Sequence, residues 1–160
     1  MSFADPLVRR MVDFVESIGI EVRAVDLPEP TFLPGLDIRD GALCIDAARL
    51  AYPGDILHEA GHIAVADAER RRQPSLKPTQ AEEMAAMAWS YAAVRHLELP
   101  EETVFHGDGY QGGAGNLLDA FRDGGGPGVP VLGWLELTTD PHAPHAEGKR
   151  CFPHMDRWVR

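Results

Sequence analysis

Residues 55–65 read Asp55-Ile56-Leu57-His58-Glu59-Ala60-Gly61-His62-Ile63-Ala64-Val65. Apolar residues flank the polar trio on both sides, and the pattern predicts a mostly buried helix capped by Asp55 and running to about Glu69. Histidines at i and i+4 leave one face of a helix about one turn apart. At that separation both imidazoles can reach one tetrahedral metal ion through bonds of roughly 2.0–2.1 Å. Glu59 stands one residue past the first histidine, where its carboxylate can hold a water at the metal without being a ligand. Ala60 and Gly61 are small and allow another backbone to pack against the motif. The competing reading is a helix with two satisfied histidines and a solvated glutamate. The apolar flanks count against it, because unpartnered imidazoles and a carboxylate are costly to desolvate.

A zinc site of this kind needs a third protein ligand and an open fourth position. Glu82, Glu83, His96 and His106 lie downstream with suitable donors. Glu82 and Glu83 stand out because they begin the next long helix, expected from Thr79 to Leu97 and closed by Pro100. The intervening stretch Arg70 to Pro78 is basic and then proline-bearing, and reads as a solvated linker that lets the second helix turn back on the first. Alanines at 85, 86, 88, 92 and 93 permit close approach. Only one of the two glutamates can ligate, since adjacent helical residues point about 100° apart. The other reading makes both first-turn glutamates, favoured there by the helix dipole.

Upstream, Asp5-Pro6 opens a helix with a cap and a first-position proline. Leu7, Met11, Val15 and Ile18 continue it until Gly19. Ile20 to Leu27 reads as a short strand, and Pro28 to Gly35, with three prolines, as a loop. Leu36–Arg39 and Ala42–Ile45 flank Asp40-Gly41, a strong hairpin signal because both turn positions need positive φ. In that register Ile38 faces Leu43 and Leu36 faces Ile45 on one apolar face, with Asp37, Arg39, Ala42 and Cys44 on the other.

Beyond residue 105 the chain is rich in glycine and proline. A short helix is expected over Asn116–Arg122, an apolar run over Val129–Leu137, and a terminal helix after Pro153. Tyr110 and His106, in a glycine-rich loop, and His142 and His145 are candidate donors to a developing oxyanion, each competing with a role-free loop residue. A second metal site at His142–His145 and a Cys151–His154 pair are the weaker readings of that region. Gly107-Asp108-Gly109-Tyr110-Gln111-Gly112-Gly113-Ala114-Gly115 lacks the Lys-Ser/Thr of a phosphate loop, which excludes nucleotide binding. Arg70-Arg71-Arg72 reads as a solvated helix end, and Met84 and Met87 as core.

Composition bounds these readings. The 160 residues are 44% apolar with a net charge of −10, from 25 acidic against 15 basic side chains. That length fits one domain, taken here as 1–160 with a catalytic core over 5–105 and a loop-rich extension over 106–160. The acidic balance argues against a nucleic-acid binder, since such proteins neutralise phosphates with Lys and Arg. No apolar run approaches the ~18 residues of a membrane span, and the N-terminus lacks the features of a secretory signal. Two cysteines make no disulfide scaffold. The expectation is a cytoplasmic protein with no membrane and no nucleic-acid partner.

The HEAGH helix followed by a glutamate on the next helix resembles the gluzincins, zinc peptidases with a His, His, Glu ligand set. More narrowly, the order of parts over residues 5–105 is similar to the ImmA/IrrE family of small intracellular metallopeptidases: leading helix, strand, hairpin, H-E-x-x-H helix, then a helix reading Glu82-Glu83-Met84-Ala85-Ala86-Met87-Ala88-Trp89. The end of that helix, Leu97-Glu98-Leu99-Pro100-Glu101, also looks like the family's. The resemblance implies an α+β, zincin-like domain with Zn2+ held by His58 and His62, Glu59 as general base, and a peptide or protein substrate. The Ala-Asn or Ala-Asp pair usual after the ligand glutamate is absent. Trp89 at its usual offset favours Glu83, whereas a thermolysin-like spacing favours Glu82. HEAGH also resembles the FtsH-type proteases, but no membrane segment or ATPase motif accompanies it. Three functions follow as expectations: a zinc metallopeptidase, a zinc hydrolase of small amides, or a degenerate zincin serving as a non-catalytic binding module.

Overall fold

A computed structural model describes residues 3–106 and 114–160. Among them the chain forms six α-helices and a three-stranded sheet, a small mixed α+β arrangement. Helix α1 (Pro6–Ser17) starts where Asp5 accepts a hydrogen bond from the Leu7 N–H at 2.8 Å. It buries Val8, Met11, Val12, Phe14 and Val15 along one stripe.

Strand β1 (Val22–Ala24) pairs in parallel with β3 (Ala42–Ile45), and β2 (Leu36–Arg39) pairs antiparallel with β3, so the order is β1-β3-β2. The hairpin register is the expected one, Ile38 opposite Leu43 and Leu36 opposite Ile45. Asp40 and Gly41 adopt φ of 52° and 77°, the double positive-φ turn that Asp-Gly favours. One correction applies to the sheet. The first strand is shorter than Ile20–Leu27, because past Val25 the Leu27 N–H turns to the Asp46 carboxylate at 2.9 Å. On the second face Ala42 and Cys44 are themselves buried, and Arg23, Asp37 and Arg39 stand close around Cys44. Such long polar side chains cover small residues with their stems.

Helix α2 (Asp55–Val65) carries the HEAGH motif, and α4 (Gln80–His96) packs along it in the most extensive contact between two elements. Between them α2 stops earlier than Glu69. Ala66 is extended, and Asp67 caps a separate short helix, α3 (Ala68–Arg71), by accepting the Arg70 N–H at 2.8 Å. Asp55 is the first residue of α2 rather than its cap, which is Gly54. Thr79 caps α4 with a reciprocal capping box to Glu82.

A 3-10 turn (Glu101–Thr103), α5 (Ala114–Arg122) and α6 (Val129–Trp134) follow. Phe121, Val129, Leu132 and Leu137 are fully buried, so residues past 114 contribute to the same contiguous core as Phe3 and Met11. No helix forms after Pro153. There the main-chain donors serve the preceding segment: Phe152 N–H donates to Thr139, Asp156 N–H to Leu137, and Thr138 bridges Met155. No helix among the described residues is long and apolar enough to cross a membrane.

Candidate metal centre

The α2–α4 contact is close because it is lined with small residues. Ala60, Ala64, Ala85, Ala86 and Ala88 are fully buried. A Cβ added to Gly61 would stand 3.0 Å from the Ala86 carbonyl oxygen and 3.2 Å from the Trp89 ring. This approach brings the second turn of α2 beside the first turn of α4.

There His58, His62 and Glu83 converge. His58 Nε2 lies 3.2 Å from Glu83 Oε1, His62 Nε2 lies 3.2 Å from Glu83 Oε2, and the two Nε2 atoms are 3.1 Å apart. The rings meet edge to face at 89°. Three tetrahedral donors bound at 2.0–2.1 Å stand about 3.3 Å from one another; the separations here, taken over both Glu83 oxygens, are of that size, and one ligand atom from each of the three residues lies within 4.8 Å of the other two. The chemistry fits as well, two imidazoles and one carboxylate being a common zinc set. Among the described residues this is the one group of three or more His, Cys, Asp or Glu whose ligand atoms come so close together.

The two glutamates left open by spacing are separated here. Glu83 joins the histidines, and its carboxyl is held well below the usual range by hydrogen bonds from His58 and then His62, against the opposing effect of burial. Glu82 faces elsewhere: its carboxylate accepts the Thr79 N–H at 3.1 Å and pairs with the Arg70 guanidinium. Arg70 is thus a partner rather than a solvated cation. Arg71 also has partners, donating to the Ala66 and Arg160 carbonyls at 2.6 and 3.0 Å.

Glu59 sits beside the triangle without joining it, its Oε1 4.0 Å from His62 Nε2. Burial pushes its carboxyl up to about 7; the nearby His58 opposes this, and Glu83 and Asp55 reinforce it. His62 Nδ1 is buried with no hydrogen-bond partner among the described residues, so the acceptor that commonly orients a ligating imidazole is absent there.

The other candidates lie apart. His96 packs between Phe14 and Trp158, thirteen residues and about 20 Å of helix beyond Glu83. His106 donates or accepts at Asp55 Oδ1, 3.0 Å from its Nε2, and stacks on Tyr52. Asp55 is one turn before His58 on the same helix, a placement the sequence contains but that sequence reading passed over. His142 pairs with Asp140, and His145 is exposed. Tyr110 and the glycine stretch 107–113 lie outside the described residues. Cys151 and His154 line a cavity with Arg95 and His96, but no metal-ligand group forms there among the described residues.

A second cavity, of about 390 Å³, opens directly on the centre. Glu59, His62 and Glu83 line it together with Leu36, Asp37 and Ile38 of β2. Leu43 N–H donates to Glu21 and Ile45 accepts from Val25 N–H, so these two residues direct their main chain at β1. Their β2 partners Ile38 and Leu36 therefore direct theirs at the open edge. On that edge the Leu36 N–H is taken by Leu33 at 3.1 Å and the Ile38 N–H by the Asp37 carboxylate at 2.9 Å.

No protein-family model, no curated protein and no solved structure matches this chain.

Proposed function

We propose that this protein is a zinc-dependent metallopeptidase, a small cytoplasmic zincin of the ImmA/IrrE kind. The observation that carries the reading is the convergence of His58, His62 and Glu83, with Glu59 beside them, at a cleft bordered by an edge strand. His58 Nε2, His62 Nε2 and one or both Glu83 oxygens would hold the ion. Zinc in that setting supplies Lewis acidity and makes a water acidic enough to attack a carbonyl near neutral pH. The Glu59 carboxylate would serve as the base that accepts a proton from the attacking water and hands it to the leaving amine. The β2 edge orients an extended peptide, which commonly adds to a sheet as a further strand. Such a strand would meet the carbonyls of Leu36 and Ile38, and Asp37 would release the Ile38 N–H to it.

The experiment is Glu59→Gln, assayed on a mixed-sequence peptide library with products read by mass spectrometry. Zinc content stays at the wild-type level and cleavage falls by roughly 10²–10⁴. Unchanged cleavage in this variant would overturn the hydrolase reading. Zinc-loaded wild type that cleaves neither the library nor small amides would leave a non-catalytic binding module.

A further inference from the structure

The loop joining β1 to β2 carries Pro28, Pro30 and Pro34, and at its tip the Phe32 ring is 100% exposed. The exposure is held in place. Proline fixes φ at three positions, the Thr31 hydroxyl donates to the Leu33 carbonyl at 2.5 Å, and Leu33 bridges Leu36. A phenyl ring kept in water forfeits the large area it would bury against a partner.

Phe32 lines the same cavity as Glu59, His62 and Glu83, and the other apolar side chains of its wall include Leu33, Leu36, Ile38 and Leu76. The charged groups near it are Asp37, tied to the Ile38 N–H and Arg39, and Lys77. Trp134, the other large exposed apolar side chain among the described residues, lines a different cavity with Arg70 and Glu82.

We infer that Phe32 and this wall form the recognition pocket for a bulky apolar side chain next to the bond that is cut, with Phe32 as the specificity-determining residue. The inference rests on the peptidase reading. It assigns the substrate class as peptides with a leucine- or phenylalanine-like residue at that position.

The test is calorimetric and independent of turnover. Zinc-loaded protein is titrated with acetohydroxamate and with 3-phenylpropanohydroxamate, chelators that differ by a benzyl group. Wild type binds the phenyl compound roughly tenfold tighter or more, the discrimination an apolar pocket commonly gives. Phe32→Ala brings the ratio of the two affinities close to one, and Phe32→Leu keeps most of the wild-type ratio. Zinc content, measured in all three proteins, stays equal. Equal affinities in wild type, or an undiminished ratio in Phe32→Ala, would overturn the pocket assignment while acetohydroxamate binding leaves the metal centre standing. Failure of both chelators to bind zinc-loaded wild type would remove the peptidase reading and the pocket with it.

Discussion

Glu82 and Glu83 are adjacent and chemically identical, yet their surroundings assign them unrelated tasks. Glu83 completes the donor triangle, whereas Glu82 closes the α4 capping box and pairs with Arg70. Glu83→Gln therefore loses zinc affinity by at least about tenfold, measured by competition with a chromophoric chelator, because an amide oxygen is a poorer ligand than a carboxylate. Glu82→Gln keeps zinc but loses stability in a pH-dependent way. Burial raises the Glu82 carboxyl, but the Arg70 and Thr79 hydrogen bonds outweigh it and hold the group below its ordinary value. A group depressed in the folded state stabilises above its unfolded pKa, and that stabilisation fades as pH falls through the folded value. The urea midpoint of Glu82→Gln, measured on metal-free protein, should lie below wild type at pH 7 and converge with it in acid. Glu83, present in both proteins, cancels from this difference. Sequence alone left the two residues tied because spacing rules constrain which helix a ligand sits on and only the packed rotation of α4 decides which neighbour faces α2. Arg70 offered a signal, as a cation twelve positions before Glu82, but a linker of that length can place it in many ways.

Helix α4 was legible because it carries its own start and stop signals, and α2 because its polar trio stands within apolar flanks; both also carry small residues. Their closeness is concentrated at Gly61, where an added Cβ meets the Ala86 backbone and the Trp89 ring at 3.0–3.2 Å. Gly61→Val should force the helices apart, cost about 1–3 kcal/mol of stability in urea unfolding and weaken zinc binding. Unchanged stability would show that the helices are not in contact there. The hairpin was equally legible, since Asp40-Gly41 fixes its register locally. The end of α2 was not. Its last carbonyls are taken by a distant residue, Ala64 by the Arg160 N–H at 2.9 Å and Val65 by the Arg160 guanidinium at 3.3 Å, and no local pattern announces a partner ninety-six positions away. The expected terminal helix failed for a related reason: beyond one local turn at His154, the tail's donors go to Leu137 and Ala64.

At the scale of the molecule, the sheet edge, the two packed helices and the proline loop line one cleft together with His62 and Glu83, two of the three metal-type donors. Ligands that bind only the folded state stabilise it by mass action, about 2.7 kcal/mol at a hundredfold excess over Kd. Zinc at that excess should raise the melting temperature by roughly 5–10 °C, and chelation should reverse the shift. The same addition to His62→Ala should leave the melting temperature where it was. The measurement that bears most directly on the centre is metal content by mass spectrometry, on protein purified without added metal. Wild type and Glu82→Ala should each carry about one zinc per chain, and His58→Ala and Glu83→Ala should carry none, matching the tetrahedral set these donors form. Wild type that holds no metal even after dialysis against zinc, or a loss that follows Glu82 instead of Glu83, would contradict it.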